Sequence, residues 1–203
     1  LRWDHPERGR VGADEFISVA EQSGAIDELG AYAVREACRS FAEITERLGD
    51  DSLILRVNIS AREFARPELA EAVRAALEES GLDPTRLCLE MKEATLMNAP
   101  EVALETFSRL QSIGVKSAID DFGTGYSSLN MLRELPLDIV KIDRAFITEL
   151  EDSQQARLVL KHLIDIAAVL NLKVVAEGVE TDVQLQYLIE NNCDYVQGWF
   201  IAK

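Results

Sequence analysis

The sequence predicts an α/β fold built on a parallel sheet of six or more strands. Two observations carry that reading. After about residue 50, short apolar runs alternate with stretches of helical periodicity. Each run also ends in a residue able to bind metal, carry charge or hydrogen-bond: Asn58, Glu90, Asp120 with Asp121, Lys141, Glu177 and Gln197. Strands separated by helices imply parallel pairing through right-handed crossovers, in either a closed barrel or an open doubly wound sheet. When successive strands of a βα repeat point such groups the same way, the groups converge on one rim.

The elements follow in order. Leu1-Arg2-Trp3 reads as the end of a strand, His5 to Gly12 as a polar loop, and two helices follow. Phe16, Val19 and Ala20 line the first, and Leu29, Ala33, Ala37, Phe41 and Ile44 the second. Strands are predicted at Leu53–Val57, Leu87–Glu90, Val115–Ile119, Leu137–Ile142, Lys173–Ala176 and Asp194–Val196, short and partly continuous in apolarity, as for strands buried on both faces. Intervening helices carry their core faces on Leu69, Val73, Ala76 and Leu77, then Val102, Thr106, Leu110 and Ile113, then Val159, Leu163, Ile166 and Leu170. Gly81 and Gly114 stand as helix stops, and Thr181-Asp182 as the cap and first-turn acid of the last helix.

Bulk composition narrows the function. The chain has 203 residues, 47% hydrophobic, enough for one larger α/β domain. Its 36 acidic and 21 basic residues leave a formal charge of −15, which opposes a nucleic acid polymer or direct contact with an anionic membrane but not a small anionic ligand. Cys38, Cys88 and Cys193 form no Cys-x-x-Cys pair and read as reduced thiols, pointing to a cytoplasmic setting. His5 and His162 are the sole histidines, which disfavours a Ser-His-Asp system or a histidine-rich zinc site.

The strand ends hold the candidate chemistry. In Asp120-Asp121-Phe122-Gly123-Thr124-Gly125-Tyr126-Ser127-Ser128 a strand delivers two carboxylates, hard ligands for Mg²⁺ or Mn²⁺, into a loop loosened by glycines. Glu90 points inward along its strand with Glu93 just past it, and Asn58 offers an amide oxygen. Lys141 and Asp143 fall on the same side of one strand, and Glu177-Gly178-Val179-Glu180 repeats the carboxylate–glycine theme. Each motif alone also fits a cap, a turn or a surface ion pair. Their joint placement at six successive strand ends favours a metal-dependent hydrolytic rim.

Together these residues resemble the EAL domain family of cyclic di-GMP phosphodiesterases. The resemblance covers Leu1-Arg2-Trp3 with His5-Pro6-Glu7, Val57-Asn58-Ile59-Ser60-Ala61-Arg62, Leu89 to Glu93, Asp120 to Ser128, Lys141 to Arg144, Glu177 to Glu180 and Gln197-Gly198. It implies a modified TIM (β/α)8 barrel with its first strand reversed, and hydrolysis of cyclic di-GMP to linear pGpG with two Mg²⁺ or Mn²⁺ per site. By the same resemblance Asn58, Glu90 and Asp120 would hold one metal, and Asp120 would bridge to a second held by Asp121 and Glu177. Lys141 would lie beside the attacking water as base or electrostatic partner, grouped with Glu93 and Asp143 as catalytic residues. Arg2, Glu180 and Gln197 would meet substrate, and Glu93 would secure the loop of Gly123, Thr124, Gly125, Tyr126 and Ser127.

Departures from the family pattern set further expectations. Lys92 stands where the family usually has Thr, adding a cation expected to lie near Glu93, and Trp199 with Ile201-Ala202-Lys203 replaces the usual ending. The Glu of the Glu-Ala-Leu motif would fall three positions before Leu1. The resemblance therefore implies that residues 1–203 are one barrel domain, N-terminally truncated and lacking its first strand or strands, within a longer signalling protein. Alone, it is expected to be inactive or poorly folded. Implied partners are a second copy in a homodimer and an attached GGDEF or sensory domain. A cyclic di-GMP receptor or scaffold without turnover is the competing expectation.

Overall fold

The computed structural model describes residues 2–125 and 129–202. The chain opens with a two-stranded antiparallel hairpin, β1 (Arg2–His5) on β2 (Gly9–Gly12), so the expected polar loop supplies a strand of its own. Leu1 lies outside the described residues. Helices α1 (Ala13–Ser23) and α2 (Ile26–Leu48) follow.

The body is a six-stranded parallel sheet: β3 (Leu55–Asn58), β4 (Leu87–Lys92), β5 (Lys116–Phe122), β6 (Ile139–Ile142), β7 (Lys173–Glu177) and β8 (Tyr195–Gln197). Its spatial order is the chain order. Right-handed crossovers that always step in one direction keep all helices on one face, which curls the sheet; a doubly wound sheet would reverse direction midway. The connecting helices are α3 (Ala61–Phe64), α4 (Leu69–Ser80), α5 (Glu93–Asn98), α6 (Pro100–Ser112), α7 (Leu129–Glu134), α8 (Arg144–Thr148), α9 (Gln154–Val169) and α10 (Asp182–Glu190).

One contact measures the curl. The Arg56 guanidinium on β3 lies 5.8 Å from the centre of the Tyr195 ring on β8. These are the first and last strands of the sheet. In a flat sheet they would stand roughly 24 Å apart, at about 4.8 Å per strand. No arginine spans that distance, so the sheet wraps into a barrel-like wall, the fold class expected of a TIM-type barrel.

The two faces of the wall differ. Outside, between strands and helices, lies the main apolar core, including Leu87, Leu89, Met91, Ile119, Phe122, Val140, Ile142, Val174 and Ala176 against Phe107, Leu110, Leu160, Ile164 and Leu188. Inside, a small layer of Cys88, Ala118, Ile139 and Val175 packs with Ile54. Strand alternation separates the two sets. Burial pushes the Cys38 and Cys193 thiols up to about 11 and that of Cys88 up to about 12, so they behave as small apolar groups.

The helix faces need correction by one position. In α4 the expected Leu69, Val73, Ala76 and Leu77 are all buried. In α6 Val102 is exposed, and Ala103 and Phe107 join Thr106 and Leu110 inside. In α9 Val159 faces out while Leu160, Ile164 and Ala167 face in. In α2 Ile44 faces solvent, and the buried line runs through Ile26, Gly30, Val34, Cys38 and Thr45. In α1 Val19 is exposed and Ala20 buried. Gly81 caps α4 in left-handed conformation at φ 68°, Gly114 follows α6 at φ 87°, and Thr181 caps α10 through a capping box with Gln184.

Candidate active site

The inner face of the wall becomes polar toward the C-terminal ends of the strands. Register does this work. Asn58 pairs with Glu90, Lys92 with Asp120, and Glu177 with Gln197, so these residues occupy neighbouring positions on one rim. Lys141 stands among them on β6, 5% exposed. Its Nζ donates to Glu90 Oε2 at 2.7 Å and pairs with Asp120 Oδ1 at 2.9 Å and Glu177 Oε1 at 2.8 Å. One ammonium thus draws together carboxylates from β4, β5 and β7.

Two adjacent aspartates could not both face this rim in a regular strand. The β5–β6 pairing slips between Ile119 and Phe122, the mark of a β-bulge, and Asp121 takes a left-handed φ of 57°. Both carboxylates then turn inward while Phe122 returns to the outer core. Asp120, Asp121 and Glu177 offer oxygens within 4.8 Å of one another.

Glu90 is only 3% exposed, and its Oε1 is buried without a hydrogen-bond partner among the described residues, 3.7 Å from Arg56 Nη1. A buried, unsatisfied carboxylate oxygen is costly unless something fills the position. Burial pulls the Lys141 ammonium down, but hydrogen bonds with Glu177 and Glu90, and then Asp120, outweigh it and the net shift is upward. Desolvation raises the Glu177 carboxyl above its ordinary value despite the opposing Lys141 hydrogen bond.

Glu93, 1% exposed, begins α5 and accepts from the Gly123 amide at 2.8 Å. Gly125 sits so close that a Cβ there would come 2.7 Å from Glu93 Oε1. Thr124 Oγ1 donates to the Asp121 carbonyl at 2.7 Å. Glu93 therefore grips the stretch leaving the aspartate pair. Tyr126 and Ser127, the other loop positions singled out from sequence, lie outside the described residues, as does Ser128.

The remaining sequence candidates spread out. Asn58 and Gln197 are exposed at the ends of β3 and β8. Glu180 is exposed at the entry to α10, its amide donating to Gln184 Oε1. Arg2 lies in the hairpin, which forms a sheet of its own. Asp143 is a correction: β6 stops at Ile142, and the Asp143 carboxylate caps α8 by accepting from Ala145 N at 2.8 Å, so it does not share a strand face with Lys141. Lys92, the neighbour of Glu93 in sequence, also reaches Asp121, its ammonium 3.1 Å from Oδ2. Arg56 was missed, although its place two residues before Asn58 on β3 puts it on the same inner face.

Comparison with known proteins decides the family. The family profile described as EAL domain matches residues 1–203. The chain belongs to the EAL domain family. This EAL chain is 44% identical over 203 residues to the cyclic di-GMP phosphodiesterase NbdA of Pseudomonas aeruginosa, covering all of this chain and 26% of that protein. It is 38% identical over 203 residues to the bifunctional diguanylate cyclase/cyclic di-GMP phosphodiesterase MucR of the same organism, again across the whole chain and 30% of the relative. The chain thus spans less than a third of the length of these curated relatives. Among solved structures, the MucR phosphodiesterase in complex with cyclic di-GMP superposes with a TM-score of 0.94 at 38% identity, covering 100% of this chain and 82% of that one.

EAL phosphodiesterases depend on metal, and the residues here fit that requirement. The donors are hard oxygens, the clustered carboxylates have one another within reach, and Glu90 keeps an unsatisfied oxygen beside them. No described helix is long and apolar enough to cross a membrane.

Proposed function

We propose that this EAL domain hydrolyses cyclic di-GMP to linear pGpG with two divalent cations, Mg²⁺ or Mn²⁺. The observation that carries the reading is the Lys141-centred cluster of Glu90, Asp120 and Glu177, with Asp121 turned into it by the bulge. Relatives named for this activity and a similar solved structure titled as a cyclic di-GMP complex support it.

Asn58, Glu90 and Asp120 would hold one cation, and Asp120, Asp121 and Glu177 the other. When bound, such ions lower the pKa of a water and stabilise the leaving oxygen of an in-line displacement. They also offset the repulsion between a domain of net charge −15 and an anionic substrate. The reaction adds a water oxygen to phosphorus, breaks one phosphorus–ribose oxygen bond and returns a proton to the ribose oxygen. Lys141 acts as the electrostatic partner of the carboxylates and of the attacking water. Glu93 holds the Gly123–Gly125 backbone against the rim, fixing the exit of Asp121. Arg2, Glu180 and Gln197 meet the substrate around it. Asp143 acts at one remove by starting α8 directly after the lysine strand.

The same proposal takes the domain as part of a longer cytoplasmic protein, with a GGDEF or sensory domain attached and a homodimer as its assembly. The test is incubation of the full-length protein with cyclic di-GMP and Mg²⁺ or Mn²⁺, with chelator as control. Metal-dependent release of pGpG is expected. Binding of cyclic di-GMP without any pGpG would replace the enzyme by a receptor.

A further inference from the structure

Lys92 is a charged group on this rim to which the reaction above assigns no part. Alternation along β4 puts it on the inner face with Cys88 and Glu90, and register sets it opposite Asp120 on β5. Its ammonium lies 3.1 Å from Asp121 Oδ2. The bulge and the left-handed backbone of Asp121 bring that carboxylate within reach, because in a regular strand it would point to the other face.

The two lysines differ in kind. The Lys141 side chain is 6% exposed and held by three carboxylates, whereas the Lys92 side chain is 70% exposed and the Asp121 side chain it touches is 35% exposed. Lys141 is a fixed part of the floor. Lys92 stands at the mouth, most of its side chain in solvent.

Resting on the two-cation reading above, we infer that Lys92 is a tethered competitor of the divalent ion at the Asp121 side of the corner. An incoming ion must displace the ammonium from Asp121 or share the carboxylate with it, and both weaken binding there. The Asn58–Glu90 side, away from Asp121, is spared. The cation that Asp121 would help to hold would therefore be the weaker of the two, with an occupancy that follows the free metal concentration. Because the pair is exposed, the effect is modest, on the scale of a surface ion pair.

The experiment is a Mn²⁺ titration of the full-length protein, followed by calorimetry and by the electron spin resonance of free Mn²⁺. It compares the unmodified protein with Lys92→Met, which removes the charge at similar length, and Lys92→Arg, which keeps it. The exposed position makes both variants safe for folding. Lys92→Met should bind the weaker Mn²⁺ about threefold more tightly, with the tighter site unchanged and Lys92→Arg close to the unmodified protein. Equal affinities in all three proteins would overturn the inference, as would weaker binding in Lys92→Met, which would make the ammonium an aid to binding. Normal Mn²⁺ binding without cyclic di-GMP hydrolysis would sink only the proposed function. Hydrolysis with affinities indifferent to Lys92 would sink only this inference. An unmodified protein that binds no Mn²⁺ would remove both.

Discussion

The outer and inner faces of the same six strands obey opposite rules. Outside, Leu89, Met91, Ile119 and Ile142 lock against α6 and α9, where every apolar side chain replaces water. Inside, one residue along on each strand, Glu90, Asp120 and Lys141 hold charge away from water at the rim. The outer face stabilises the wall; the inner face draws on that stability to keep like charges together. Stability and chemistry are thereby separated by strand parity, and each can be damaged without the other.

The largest expected effect lies inside. Asp120→Asn should lower pGpG production by at least about 10³-fold in the full-length protein, because a neutral amide cannot bridge two cations. Its thermal midpoint should stay level or rise, since the change relieves charge crowding. Unchanged turnover would refute the bridging role.

The mirror experiment is outside. Phe107 is 1% exposed and stacks edge-on to Phe64 with ring centres 4.9 Å apart. Phe107→Ala should cost about 3–5 kcal/mol in chemical denaturation. At temperatures where the variant remains folded, its Mn²⁺ affinity should match the parent. A lost metal site would show that the two faces are coupled.

A smaller change joins the faces. Glu93→Ala removes the acceptor of the Gly123 amide and should reduce turnover on the order of tenfold, while Glu93→Gln, which keeps an acceptor, should recover most of it. Equal losses in both variants would point to the charge rather than the grip.

The smallest effect is one of pH. Glu63 is buried under α2, hydrogen-bonded to Ser60, and burial raises its carboxyl above the ordinary 4.5. A raised value in the folded state means protonation favours folding: the contribution is fully present below the unfolded value and lost as pH rises through the folded one. Glu63→Gln should therefore raise the melting temperature by a few degrees near pH 7 and give no gain below about pH 4.5. A gain independent of pH would contradict this.

Much of this architecture was legible because parallel strands buried on both faces write themselves as apolar runs. All six were located, with ends displaced by up to three residues, the most at the bulged end of β5. The helix faces slipped because the true centre of α2 includes Gly30, Cys38 and Thr45, which a hydrophobic pattern passes over. In α6 and α9 apolar residues flank the stripe on both sides, so Val102 and Val159 looked interchangeable with Ala103 and Leu160. The β1–β2 hairpin was hidden because Gly9–Gly12 has no alternating pattern. Lys141, Glu90 and Glu177 could be read as convergent from their strand ends alone. The Lys92–Asp121 contact could not, since it depends on a bulge that leaves no glycine as a sign.

That bulge has a consequence for how the chain tolerates change in length. A strand keeps only the parity of its residues, and the slip between Ile119 and Phe122 is a half-step that breaks it. Shortening β5 there by one residue would restore strict alternation. It would do so by turning one of two neighbouring acids out among the helices or by expelling Phe122 from them. A single deletion at that one point would switch the site off in one step with every other residue intact.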